Sequence, residues 1–466
     1  MVSMAVKLFD PIVEPAKLHR HFVSLQTSPG EHPGRAMMEE IFREFVGVDG
    51  NYLEQFQTTA FDARSFELYL FALFNREGFA LDRSYPNPDF VVERGGLKIA
   101  VEATTVNPST SGPMSRIGTK IDDLSLEERL AYERDELAIR FGSAIFSKLQ
   151  KRYWELAHCK DMPFVIAIQA FHDQGALEFS DSALERFLYG LDQTTGQWDS
   201  DGNLTVNTTR VESHQAADKT IPSNFFGQPD TEHVSAVVFS NSGSLAKFDR
   251  MGFQHGYGNT CYNLTRFGTA INADPDAMDA TAFLYDVGHP PFVESWSQGL
   301  VVCHNPNATR PLPVEFFGPV INAFSEHGRL CHTRAPWHPI VSKTHATHLG
   351  EIFKDIPRQA FTRPAIAVAA ISRETFVGLV GFSYESNPAF EENGWFTDMS
   401  TSFAGVILHD KTDDDWAWVI MARDPHFRFR AIKADSSFTH RKEACEKMQA
   451  EMLGLLLDAK RIFVQD

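Results

Sequence analysis

Two runs of residues leave this chain little choice of interior. Phe164–Ala170 (FVIAIQA) and His233–Ser240 (HVSAVVFS) are apolar or small at nearly every position. Each has the length of a strand, and a strand without a polar face must be covered on both sides. The pattern predicts a sheet buried between flanking elements. At 466 residues the chain also exceeds what one core holds, so more than one domain is expected. Phenylalanine dominates its aromatic content, with 39 copies against 10 Tyr and 7 Trp.

Upstream of these runs, Asp62 is placed to cap a helix whose apolar positions are Phe66, Leu70, Phe71, Leu73 and Phe74, ending at Glu77-Gly78. Asp89–Glu93 and Leu97–Val106 flank Gly95-Gly96 and read as a β-hairpin. A polar loop from about Thr105 to Ser125 leads to a helix expected from Leu126 to Leu156, split near Gly142. After about Gly350, strands are predicted at Ala365–Ala370, Phe376–Tyr384, Phe403–His409, Asp415–Ala422 and Phe427–Lys433, then a helix from Thr439 to Ala459. The domain reading is an N-terminal extension (1–54), a main domain (55–300), a His/Cys-rich connector (301–349) and a smaller α+β domain (350–466).

A net charge of −18 excludes a globally basic nucleic-acid coat protein, though not an enzyme with one local cationic groove. Met1–Val13 lacks the features of a secretory signal, and the most apolar stretch, Ala365–Phe382, is broken by Arg373 and Glu374. Five scattered cysteines without a CxxC pair suit free thiols in a reducing compartment. The expectation is a cytoplasmic protein with no membrane partner, and a homo-oligomer is compatible with it.

Three carboxylates stand out between Asp62 and Thr105. Glu67 shares its helix face with Ala63, Leu70, Phe71 and Phe74; Asp89 follows Pro88 at a strand start; Glu102 interrupts the apolar run Ile99–Ala103. Burying an unpaired carboxylate costs several kcal/mol, so each needs a partner. For Glu67 an ion pair with Arg64 is the plain alternative. Thr104 shares the strand face of Glu102 by alternation. Two or three carboxylates together offer the oxygen ligands that Mg²⁺ takes.

The order helix acid, Pro88-Asp89, hairpin, Glu102-Ala103-Thr104, helix, strand resembles the PD-(D/E)XK nuclease superfamily over roughly residues 55–170. The resemblance implies a restriction-endonuclease-like fold, a mixed sheet flanked by helices. It further implies a metal site of Asp89, Glu102 and Glu67 holding Mg²⁺ (or Mn²⁺), and phosphodiester hydrolysis in nucleic acid, with DNA favoured. Thr104 departs from it, because the motif has Lys there. Lys148 and Lys151, three residues apart on the following helix, are the candidates to replace that charge, with Lys148 preferred because Ala144 and Ile145 give its stem an apolar face. Gln150 and Tyr153 come one residue short of the Q-x-x-x-Y helix of RecB-type nucleases.

Other constellations compete. A catalytically inactive relative that binds nucleic acid or protein fits the loss of Lys at Thr104. A zinc protein centred on Cys303, His304, His327, Cys331, His332, His338, His345 and His348 is a third reading. Ser244 and Lys247 spell S-x-x-K, and Lys247 is also a candidate phosphate contact. Arg428 and Arg430, alternating with Phe427 and Phe429, could form the cationic face of a strand that tracks a phosphate backbone.

Overall fold

The computed structural model describes residues 7–45, 50–107, 124–171, 181–198, 204–258, 262–272, 280–288, 293–348, 368–381, 383–384, 387–398, 403–423 and 429–462. The chain packs as two compact units. The first comprises Met1–Tyr257, Thr269–Thr281 and Glu294–Lys343; the second comprises Gly258–Gly268, Ala282–Val293 and Thr344–Asp466.

The first unit is built on an eight-stranded mixed sheet. Its strands are β1 (Ala80–Asp82), β2 (Phe90–Arg94), β3 (Leu97–Val106), β4 (Phe164–Ala170), β5 (Val234–Ser240), β6 (Leu300–His304), β7 (Ile321–Glu326) and β8 (Arg329–His332), side by side in that order. β2 and β3 form the expected hairpin, pairing Arg94 with Leu97 across Gly95 and Gly96. Those glycines have φ of 59° and 82°, a left-handed pair that side chains disfavour and a tight hairpin requires. β3, β4 and β5 run parallel, and β4 and β5 are buried at every position.

Alternation sends the two halves of β3 to two cores. Ile99, Val101 and Ala103 pack with helix α1 (Phe61–Arg76), while Ala100 and Val106 pack with helix α2 (Leu137–Leu149). The first core is the phenylalanine-rich one, and it includes Phe22, Met38, Ile41 and Phe56 from the first 57 residues. Residues 7–45 are therefore integral to the domain rather than an extension from it.

Several expectations need correction. The split before α2 falls at a π-helical turn, Tyr132–Glu136, and not at Gly142. The helix also ends at Leu149, because Arg152 turns left-handed at φ 49°. Residues 301–349, expected as a connector, supply β6, β7 and β8 to the main sheet. In the second unit a five-stranded antiparallel sheet runs through Val368–Ile371, Phe390–Asp398, Phe403–Asp410, Asp415–Arg423 and Phe429–Phe438, with a helix at Arg441–Ile462. Phe376–Tyr384 is not a strand: Arg373–Val380 is helical, with Phe376 and Val380 one turn apart in the core. Phe390–Asp398 was not anticipated.

A candidate metal-binding carboxylate–lysine site

The site lies where β2 begins beside the middle of β3. Phe90 pairs with Val101, which places Asp89 opposite Glu102. Asp89 folds back over β3: its Oδ2 accepts from the Ala103 amide at 2.8 Å, and its own amide donates to Glu102 Oε2 at 3.3 Å. The two carboxylates are thus fixed to one spot by backbone bonds.

Glu102 points to the α2 face and is only 3% exposed. There the Lys148 ammonium meets it, donating to Oε1 at 2.7 Å. Ile145 and Leu149 anchor that end of α2 in the core, and Lys148 is half-buried. Burial, and then the Asp89 charge, pushes the Glu102 carboxyl up to about 7 even against the pull of Lys148. Burial works against the Lys148 charge too, but Glu102 and Asp89 outweigh it and its pKa is raised.

Glu67 enters from α1. Arg64 donates to its Oε2 at 2.7 Å, so the plain i,i+3 ion pair does form. That pair does not neutralise the group's surroundings. Burial and the Asp89 charge hold Glu67 at about 7, while Arg64 and Lys148 act in the opposite direction. Asp89 is therefore the shared neighbour of both other carboxylates. Thr104 is half-buried on the strand face of Glu102.

Residues that sequence reasoning passed over complete the surroundings. Arg83 donates to the Asp89 carbonyl at 3.3 Å, its guanidinium 4.5 Å from the Phe45 ring centre. Burial lowers its pKa, while the charges of Asp89 and Glu67 act to raise it. Tyr153 Oη donates to Asn87 Oδ1 at 3.4 Å, and burial followed by the Glu102 charge raises its pKa.

The other candidates separate. Lys151 lies beyond the end of α2 and is exposed. Lys247 is not a phosphate contact: it is fully buried, its ammonium held by Glu294 Oε1 and the Ser295 carbonyl, both at 2.6 Å. Arg430 is exposed on the edge strand of the second unit, and Arg428 lies outside the described residues. The His/Cys group does not converge. Cys303 is in the core, His304 bonds Asn322 at 2.8 Å and His332 bonds Glu185 at 2.7 Å.

Among the described residues, the one trio whose ligand atoms all lie within 4.8 Å of one another is Asp230, Glu232 and His233. It is mostly exposed, and Asp230 is already paired with Arg152 at 2.8 Å. Asp89, Glu102 and Glu67 do not meet that spacing as a trio. Asp89 and Glu102 nonetheless make an all-oxygen pair, and Mg²⁺ commonly takes only one or two carboxylates with water for the rest. The donor chemistry fits that ion. No helix among the described residues is long and apolar enough to cross a membrane. No protein-family model, curated protein or solved structure matches the chain, so the reading of the site rests on its own geometry.

Proposed function

We propose that the first unit is a divalent-metal-dependent phosphodiesterase of the PD-(D/E)XK, restriction-endonuclease-like kind, acting on DNA in preference to RNA. One observation carries this reading. The Lys148 ammonium lies 2.7 Å from Glu102, supplying from α2 the charge that Thr104 lacks, beside an Asp89 carboxylate held against the same strand. The support from topology is coarser: a hairpin bearing both acids, then a parallel strand reached through the helix that carries the lysine.

Hydrolysis consumes one water. Its oxygen bonds to phosphorus, the ester oxygen departs with the bonding pair and takes up a proton, and negative charge grows on the nonbridging oxygens. Asp89 and Glu102 would hold Mg²⁺ or Mn²⁺, which supplies charge stabilisation and an acidified water when bound. Lys148 places a fixed positive charge against those developing charges, and preorganised charge of this kind is worth most in a water-poor site. Arg64 donates to Glu67, and burial with the Asp89 charge raises the Glu67 carboxyl to about 7, so it can exchange a proton near neutral pH.

The test is cleavage of DNA by the full chain with Mg²⁺ or Mn²⁺. Glu102→Gln should abolish cleavage and Lys148→Met should slow it by a factor on the order of a hundred. Undiminished cleavage by Glu102→Gln would contradict the assignment.

A further inference from the structure

Four residues before Asp89, an exposed aromatic ring is held flat against a second ring. Tyr85 is 43% exposed and stacks on His158 with ring centres 3.7 Å apart and planes within 2°. His158 is itself fixed, its Nε2 2.8 Å from the Asn87 carbonyl. Asn87 also accepts from Tyr153 and lies two residues before Asp89. The stack and the carboxylate–lysine site are therefore joined through one short turn. Among the described residues no other ring and no cation packs on Tyr85. Neither ring belongs to either core of the first unit.

We infer that Tyr85, backed by His158, is a platform on which an unpaired base of the substrate stacks, so that the site takes single-stranded DNA. The inference rests on the hydrolytic reading above. A flat ring pinned from behind can extend its column by one more π-face. Every unpaired base offers such a face without sequence preference, whereas the bases of a duplex are already stacked above and below. Four residues span at most about 14 Å, so the platform and the carboxylates lie within the reach of a few stacked nucleotides at about 3.4 Å each.

Charge favours the same substrate. Duplex binding without sequence readout draws its affinity from many cation–phosphate contacts. Here Lys148 is paired with Glu102, Arg64 with Glu67, and Arg152 with both Glu155 and Asp230, in a chain of net charge −18. Stacking supplies affinity that does not depend on counterion release.

The experiment measures binding of a short fluorescein-labelled oligothymidylate, alone and annealed to its complement, by fluorescence anisotropy without divalent ion. The full-length wild type, Tyr85→Ala and Tyr85→Phe are compared. The wild type should prefer the single strand. Tyr85→Ala should weaken that binding on the order of 10- to 100-fold, the scale of one base–aromatic contact, and Tyr85→Phe should stay within about twofold of wild type. Tyr85→Ala binding as tightly as wild type, a wild type that prefers duplex, or no binding of the single strand would each overturn the platform. Metal-dependent cleavage by the wild type, and its loss in Glu102→Gln, decides the hydrolytic reading separately. The platform can therefore fail while hydrolysis stands, and the reverse.

Discussion

Replacing Lys148 by Met keeps the aliphatic stem and removes the ammonium, which isolates the charge. In the wild type that ammonium donates at 2.7 Å to a carboxylate whose side chain is 4% exposed. A charge-assisted bond of this kind contributes about 1.5–3 kcal/mol. The variant has one escape, which is to protonate Glu102. With a carboxyl already near 7, neutralising it at pH 8 costs only on the order of 1 kcal/mol. The escape caps the expected loss at pH 8 at about 1 kcal/mol, a few degrees in Tm for a unit of this size. The sign with pH follows from linkage. Glu102 is raised above its unfolded value, so in the fold it is protonated at pH 5 and makes no ion pair for the variant to lose. The ion-pair part of Lys148's contribution should then disappear, leaving a smaller loss than at pH 8. Thermal melts of metal-free wild type and Lys148→Met at pH 5 and pH 8 measure both values. Equal destabilisation at the two pH values would show that Lys148 acts by packing alone and refute the electrostatic reasoning.

Other outcomes follow from the same contacts. Lys151→Ala, at an exposed position beyond the helix end, should leave stability and DNA cleavage within about twofold of wild type, and a large loss of turnover would restore it as a candidate. Glu294→Gln leaves the buried Lys247 and Arg250 without their carboxylate and should lower stability by about 3–5 kcal/mol in urea melts; a change under about 1 kcal/mol would mean the triad does not carry its charges. Because Glu102 must ionise to bind metal, Mn²⁺ affinity measured by calorimetry should rise with pH and level off above about 7, whereas a flat profile from pH 5 to 8 would exclude Glu102 as a ligand.

Much of the site was legible because its chemistry broke local rules. Glu102 stood alone in an apolar strand, and such a residue announces its need for a partner. Lys148 could be chosen over Lys151 from Ile145 and Ala144, since an apolar helix face carries a lysine stem inward. What was hidden was polarity satisfied at long range. His304 and Asn322 bond each other inside β6 and β7, so a buried part of the main sheet looks like a polar connector. Phe390–Asp398 disguises itself in the same way: its bulge between Glu392 and Gly394 breaks the period of two, and Glu392 is satisfied by Ser383, Arg373 and Trp395. From sequence Lys247 reads as a phosphate contact because its partner, Glu294, lies 47 residues away. Tyr85 and His158, 73 residues apart by their numbers, carry no sequence signal of their stack at all.

Whether Asp89 and Glu102 share a metal ion is tested most directly by a crystal of the full chain soaked in Mn²⁺. Anomalous diffraction should place one Mn²⁺ between the two carboxylates, at about 2.0–2.2 Å from an oxygen of each. That peak should vanish in Glu102→Gln crystals grown the same way. Mn²⁺ bound instead at Asp230, Glu232 and His233, with none near Glu102, would contradict the account.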